Sequence, residues 1–291
     1  MDNLEEQKEL EKAEEKSFFG IIVHSFFVIP FLIAVFCLLL FTAVHLLTKE
    51  EHTVYDFLED IKTGGSTKRW QAAFELSKIL ANPKVIPTEN RFVEALAQAF
   101  RDSSQDDSRV RQYLALAMGR TGNRQFLNVL TENLKKEREE NLYAIIYALG
   151  MLKDTRASAT LYPYLQAHDP RIRSAAVAAL GNIGNSDSLA QLKQSLNDSE
   201  PNVQWGAALS LAKLGDATGK DIIALLLDRN YLSQFKEVDR EEQTQIILMA
   251  IEAAGVMDTA ELKEKLQKLS RQDLSMKARS AALEILKGKP R

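Results

Sequence analysis

The sequence predicts an all-α protein: an α-α superhelix of stacked helical hairpins, preceded by one transmembrane helix. Three observations carry that reading. Apolar residues return in the same pattern every 31 residues through the middle of the chain, no charged residue lies between Lys16 and Lys49, and an amphipathic stripe at 52–62 sits between these two regions. Over all 291 residues the composition is ordinary for a globular chain, 45% hydrophobic and 26% charged, so pattern rather than composition defines the organisation.

Residues 1–16 form an acidic tail in which Lys8, Lys12 and Lys16 face seven acids. Residues 17–48 follow as the apolar segment, with the run FFGIIVHSFFVIPFLIAVFCLLLFTAVHLL at 18–47. That exceeds the roughly 20 residues that cross a hydrocarbon core of about 30 Å, so a helix contacting the lipid bilayer is expected. Pro30 lies in its middle and is expected to kink it. A signal peptide fits worse, because its leading region should be basic, its apolar run shorter, and a small-residue cleavage site should follow. His24 and His45 fall near the ends of the segment without a polar partner, and Cys37 is a lone thiol inside it. Neither supplies a site, and a single cysteine excludes a disulfide framework.

Orientation rests on flanking cations, three on the N-terminal side against Lys49, Lys62, Lys68 and Arg69 on the other. That near-tie leaves the direction open. The acidic tail favours an exported N-terminus, which makes the chain a single-pass membrane protein with its repeats on the cytoplasmic face.

Residues 49–65 read as a juxtamembrane helix and linker. Val54, Phe57, Leu58 and Ile61 keep helical spacing and Gly64-Gly65 ends the run. The stripe either rests on the lipid interface or caps the array behind it. Gly64-Gly65-Ser66-Thr67-Lys68 lacks the order of a phosphate-binding loop and follows no strand, so it reads as a linker and helix start.

The repeats occupy 66–288. RVRQYLALAMGRTGN (109–123), EENLYAIIYALGMLKD (139–154), RIRSAAVAALGNIGN (171–185) and NVQWGAALSLAKLGD (202–216) superpose at the 31-residue spacing. Ala117, Ala148, Ala179 and Ser210 are equivalent, followed two places later by Gly119, Gly150 and Gly181, with Ala212 in the fourth copy. Within one copy Ile172, Ala175, Ala176, Ala179, Leu180 and Ile183 mark a helical stripe, and Gly184 supplies the left-handed residue that ends it. A second helix follows, marked by Leu189, Leu192 and Leu196. Asp169-Pro170 and Glu200-Pro201 start successive copies, since proline suits the first turn and an acid suits the helix N-terminus. Looser copies are expected at 67–80 and 244–258, each set off by an insertion, and the helix at 276–288 is expected to close the stack with a polar outer face.

This pattern resembles the HEAT-repeat superfamily, in particular the short bacterial type found in phycobilin lyases, over roughly 66–288. DPRIRSAAVAALGNIGNSDSLAQLKQSL (169–196) is the copy most like the family's consensus, and the arginine typical of the first helix is present as Arg111 and Arg173 but replaced by Leu142 and Gln204. The resemblance implies a HEAT-like solenoid. It names no ligand, because function lives in sites grafted onto folds.

Catalytic and cofactor patterns are weak. The metal-binding His-Glu pairs of HEAT-like deoxyhypusine hydroxylases are missing, and His168 alone stands outside the apolar region and its flank. No nucleophile motif is found, so no catalytic residue, metal or cofactor is expected. A formal charge of −3 offers no cation excess for a phosphate backbone, and nucleic acid is not an expected partner.

The expectation is therefore a membrane-anchored scaffold or adaptor that binds a membrane-associated protein partner. A phycobilin-lyase-like enzyme or pigment chaperone on the same fold remains the alternative. The candidate contact is the insertion at 228–242, with Tyr231, Leu232 and Phe235 among charges. These aromatics either meet a partner or cover the seam between repeats, and Trp70 and Trp205 read as packing residues.

Overall fold

The computed structural model describes residues 24–48 and 52–288. The acidic tail, the first residues of the apolar segment (17–23) and residues 49–51 lie outside the described residues. The chain divides into two compact units, Met1–Thr53 and Val54–Arg291.

In the first unit a π-helical turn, His24–Val28, runs into α1, Ile29–Thr48. Pro30 thus stands in the first turn of the regular helix, where its missing N–H is tolerated, and the irregular turn falls just before it. The span Phe26–Val44 is long and apolar enough to cross a membrane by length and composition, and none of its window is buried. Its internal hydroxyl needs no outside partner, because Thr42 Oγ1 donates to the Leu38 carbonyl at 2.7 Å.

The second unit opens with α2, Val54–Thr63, whose Val54, Leu58 and Ile61 are buried against the first hairpin. The amphipathic stripe is therefore the lid of the array, and the compact unit starts at Val54 rather than at 66. Hairpins follow: α3 (Ser66–Ile79) with α4 (Asn90–Asp102), α5 (Ser108–Arg120) with α6 (Leu127–Leu134), and α7 (Glu139–Leu152) with α8 (Ser158–Leu161), which continues as the 3-10 turn Tyr162–Gln166 because Pro163 interrupts it. Then come α9 (Pro170–Ile183) with α10 (Leu189–Ser195) and α11 (Pro201–Lys213) with α12 (Lys220–Leu226). The insertion forms the short α13 (Arg229–Leu232) before α14 (Arg240–Met257), α15 (Ala260–Gln272) and α16 (Met276–Leu286).

The 31-residue period is visible atom by atom at the helix ends. Gly122, Lys153, Gly184 and Gly215 all have φ between 50° and 77° and reverse the chain after α5, α7, α9 and α11. The next residue caps the following turn: the side chains of Asn123, Asp154, Asn185 and Asp216 each accept from the backbone N–H two residues on. Lys193 and Thr218 hold the Asp216 carboxyl down at about 2.

First helices stack through their smallest residues. A Cβ on Gly119 would lie 2.7 Å from Ala148 Cα, one on Gly150 would lie 2.8 Å from Ala179 Cα, and one on Gly181 would lie 2.6 Å from Ser210 Cβ. Each glycine lets the next helix approach to backbone contact.

Arginines tie the seams. Arg111, buried beside Phe100, donates from Nε to Glu137 Oε2 at 2.6 Å and from Nη1 to the Phe100 carbonyl at 2.6 Å. Arg173 repeats this with both oxygens of Asp198, at 2.8 Å each, and with the carbonyls of Ala167 and His168 at 2.9 Å. Each thus joins the preceding hairpin to the loop that follows its own second helix. Gln204 keeps part of the tie by donating to the Asp198 carbonyl, whereas Leu142 packs against the core.

The expected polar closing face is not found. Leu274, Met276 and Leu283 are 79%, 72% and 43% exposed, because no helix follows α16 among the described residues to cover them.

Candidate functional site

The stack of first helices closes tightly from α5 to α11 and loosens at the next junction. The sequence explains the change. Ala212 stands where the earlier copies carry glycine, and the insertion between α12 and α14 lets α14 start off the 31-residue register. A groove of about 1140 Å3 opens there. One wall is Trp205, Gly206 and Leu209 of α11 with Ala178 of α9; the other is Ile246, Met249 and Val256 of α14, and Ile285 of α16 closes one side.

The walls are apolar and still reachable by solvent, since Met249 is 46% and Val256 59% exposed. Charges stay at the margin. Lys213 Nζ donates to Asn182 Oδ1 at 2.9 Å, Lys263 pairs with Asp258 at 2.8 Å, and Glu252 is exposed. An apolar trough with a sparse polar margin is the geometry that takes an apolar helix face or an extended small molecule.

The insertion acts on this groove from behind. Tyr231, Phe235 and Trp205 form a three-ring cluster with centroids 4.8 to 6.1 Å apart and edge-to-face geometry. Trp205 Nε1 donates to Tyr231 Oη at 3.1 Å, which satisfies the indole N–H. Leu232 is fully buried, so its side chain belongs to the core and leaves the set of candidate contacts. Tyr231 and Phe235 are half-buried and pack against the core that contains Ile223, Leu226 and Ile247. Of the four residues only Trp205 lines the groove. α13 is fixed by Arg229, which grips both oxygens of Asp273 at 2.7 and 2.9 Å and reaches Thr244 Oγ1 at 3.1 Å. His168 is exposed, and among the described residues no three His, Cys, Asp or Glu side chains gather as a metal site would need.

The groove residues Met249, Val256 and Ile285 carry no motif, and sequence reading passed over them. The signal that could have found them was the loss of the glycine at Ala212 together with the insertion. Both mark the junction where the stack cannot close.

Residues 93–176 and 158–232 match the family model for HEAT repeats. Over residues 93–232 the array is built of HEAT repeats. The bilin biosynthesis protein PecE of Mastigocladus laminosus is 28% identical over 171 residues, which are 58% of this chain and 60% of that protein, so the chain spans about 60% of the length of this relative. In the solved complex of CpcE and CpcF of phycocyanin lyase from Nostoc sp., one chain is 18% identical with a TM-score of 0.56 over 83% of this chain and 96% of its own. That likeness is one of fold. It agrees with the repeat type that the motif at 169–196 suggested, and the groove has its α11 wall inside the matched residues and its α14 wall beyond them.

Proposed function

We propose that this HEAT array is a protein-binding module held at a membrane by the span Phe26–Val44, and that a helical segment of a membrane-associated partner lies in the groove between α11 and α14. The groove itself carries the reading: it is an apolar trough between two helices in a stack whose other first helices close on one another. An amphipathic helix offers the complementary stripe, and its polar side would face the margin formed by Lys213, Glu252, Asp258 and Lys263. The tether is five residues, 49–53, between α1 and α2. A short tether concentrates the array on partners in the same bilayer, so a modest intrinsic affinity suffices. The acidic N-terminal tail supports a cytoplasmic placement of the array.

The test is recovery of the partner from mild-detergent membranes with the full chain and with Met249→Glu/Val256→Glu. Both side chains are largely exposed, so the variant keeps its fold. Loss of a stoichiometric partner with unchanged melting supports the groove; full recovery removes it.

The relation to a bilin biosynthesis protein favours a second reading, a subunit of a lyase-like enzyme or a pigment chaperone whose groove holds a linear tetrapyrrole. Adding free bilin then shifts its visible absorbance and quenches Trp205, and Val256→Glu weakens both effects. No spectral change with the full chain rejects this reading.

A further inference from the structure

The last helix repeats a motif the earlier copies explain. Arg279-Ser280-Ala281-Ala282 in α16 reproduces Arg173-Ser174-Ala175-Ala176 in α9. The geometry is reproduced too. Arg173 donates to carbonyls six and five residues before it, at Ala167 and His168, and Arg279 does the same to Asp273 and Leu274.

The two arginines differ in what they lack. Arg173 turns the other edge of its guanidinium onto Asp198, just past its own second helix. Arg279 meets no carboxylate among the described residues, and its residue is only half-buried. The apolar neighbours differ in the same sense. Val177 and Leu180 of α9 are fully buried, and α11 covers Val177, with Ser210 Oγ donating to its carbonyl at 3.1 Å. The equivalent of Val177 in α16, Leu283, is 43% exposed.

We propose that this end of the array is a docking face for a helical segment of a partner protein that presents a carboxylate to Arg279 and an apolar stripe to Leu283. The chemistry of the occupant is fixed by charge complementarity, since Arg111 with Glu137 and Arg173 with Asp198 show in this chain what such an arginine takes. An end repeat that is not capped by polar residues exposes the face its neighbour would cover, and Leu274 and Met276 enlarge that face. The proposal is independent of the groove between α11 and α14.

This chain supplies its own probe. The synthetic peptide 185–213 contains Asp198 and the helix that covers Val177. A labelled form is titrated against the full-length protein in detergent and read by anisotropy. Saturable binding is expected. It weakens at least tenfold with Arg279→Gln or Leu283→Lys in the protein. The peptide variant Asp198→Asn weakens it equally and adds no further loss on the Arg279→Gln protein. Absence of saturable binding, indifference to both protein variants, or loss caused by Met249→Glu in the groove overturns the proposal. A Leu283-dependent dimer formed without peptide also overturns it, because the face then belongs to a second copy.

Discussion

A methyl group at Gly150 should loosen the stack, and the same change at Gly206 should tighten the chain. Both glycines lie inside first helices, so alanine gains about 1 kcal/mol of helix propensity at either position. At Gly206 the new Cβ would meet only Val177 Cγ1 at 3.4 Å, an ordinary contact, and the gain stands. At Gly150 it would lie 2.8 Å from Ala179 Cα and 2.9 Å from Ala179 Cβ. Backbone cannot rotate away, so α7 and α9 must separate by several tenths of an ångström along a contact that runs their length. Overpacking of this kind costs about 1–3 kcal/mol, which cancels the propensity gain and leaves Gly150→Ala up to about 2 kcal/mol less stable than the parent. For a unit of this size that lowers the thermal midpoint by up to about 8 °C, while Gly206→Ala raises it by about 2–4 °C. Melting followed by circular dichroism at matched detergent and scan rate reads both. A Gly150→Ala protein stabilised as much as the Gly206→Ala protein refutes the claim that backbone contact at glycine sets the helix spacing.

Other predictions follow from the same period. Lys153 has φ 50° where the equivalent residues are glycine, and its side chain is exposed, so Lys153→Gly should stabilise by about 0.5–1 kcal/mol in denaturant melts. Arg111→Met should cost about 3–5 kcal/mol because it strands the buried Glu137 carboxylate, and Arg111→Met/Glu137→Leu should recover most of it in the same melts. Acid should weaken the array. Asp154, Asp169 and Asp198 lie below the ordinary carboxylate value of 3.8 because arginine side chains donate to them, and Asp107 and Asp216 are held at about 2. Below 3.8 the unfolded chain binds more protons than the folded one, so their contribution is intact above that pH and is lost as the pH falls toward 2. Melting midpoints measured between pH 5 and 2 should drop less steeply for Asp198→Asn than for the parent; equal slopes reject this coupling.

The solenoid was legible because its signal is redundant. Ala117, Ala148 and Ala179 recur at one spacing with glycine two places later, and a helix that keeps small residues at one position has to pack closely there. The caps at Asn123, Asp154, Asn185 and Asp216 were equally readable in retrospect, since each sits at the same offset beside a left-handed residue. The short α8 was harder, because Pro163 breaks the helical pattern, and α15 was overlooked although Leu262, Leu266 and Leu269 mark its buried stripe.

At the site, sequence reading chose exposed-looking aromatics in an insertion, which is sound for a loop. It failed for Leu232 because α13 is a full helical turn and turns that side chain into the core. Tyr231 and Phe235 pack onto Trp205 of α11, 26 and 30 residues away, and no local pattern carries such a contact. The closing helix misled for a different reason. Its charges and alanines look like a cap, whereas Arg279-Ser280-Ala281-Ala282 repeats the motif of the first helix α9 and Leu283 stays exposed.

Site-specific photocrosslinking in native membranes tests the central claim most directly. A benzophenone side chain is placed at Met249 or Val256 in the groove, and at the exposed Leu225 on α12 as a control. The account predicts one membrane-associated adduct from both groove positions and none from Leu225. Adducts from Leu225 alone, or none from either groove position while the full chain retains its partner, would contradict it.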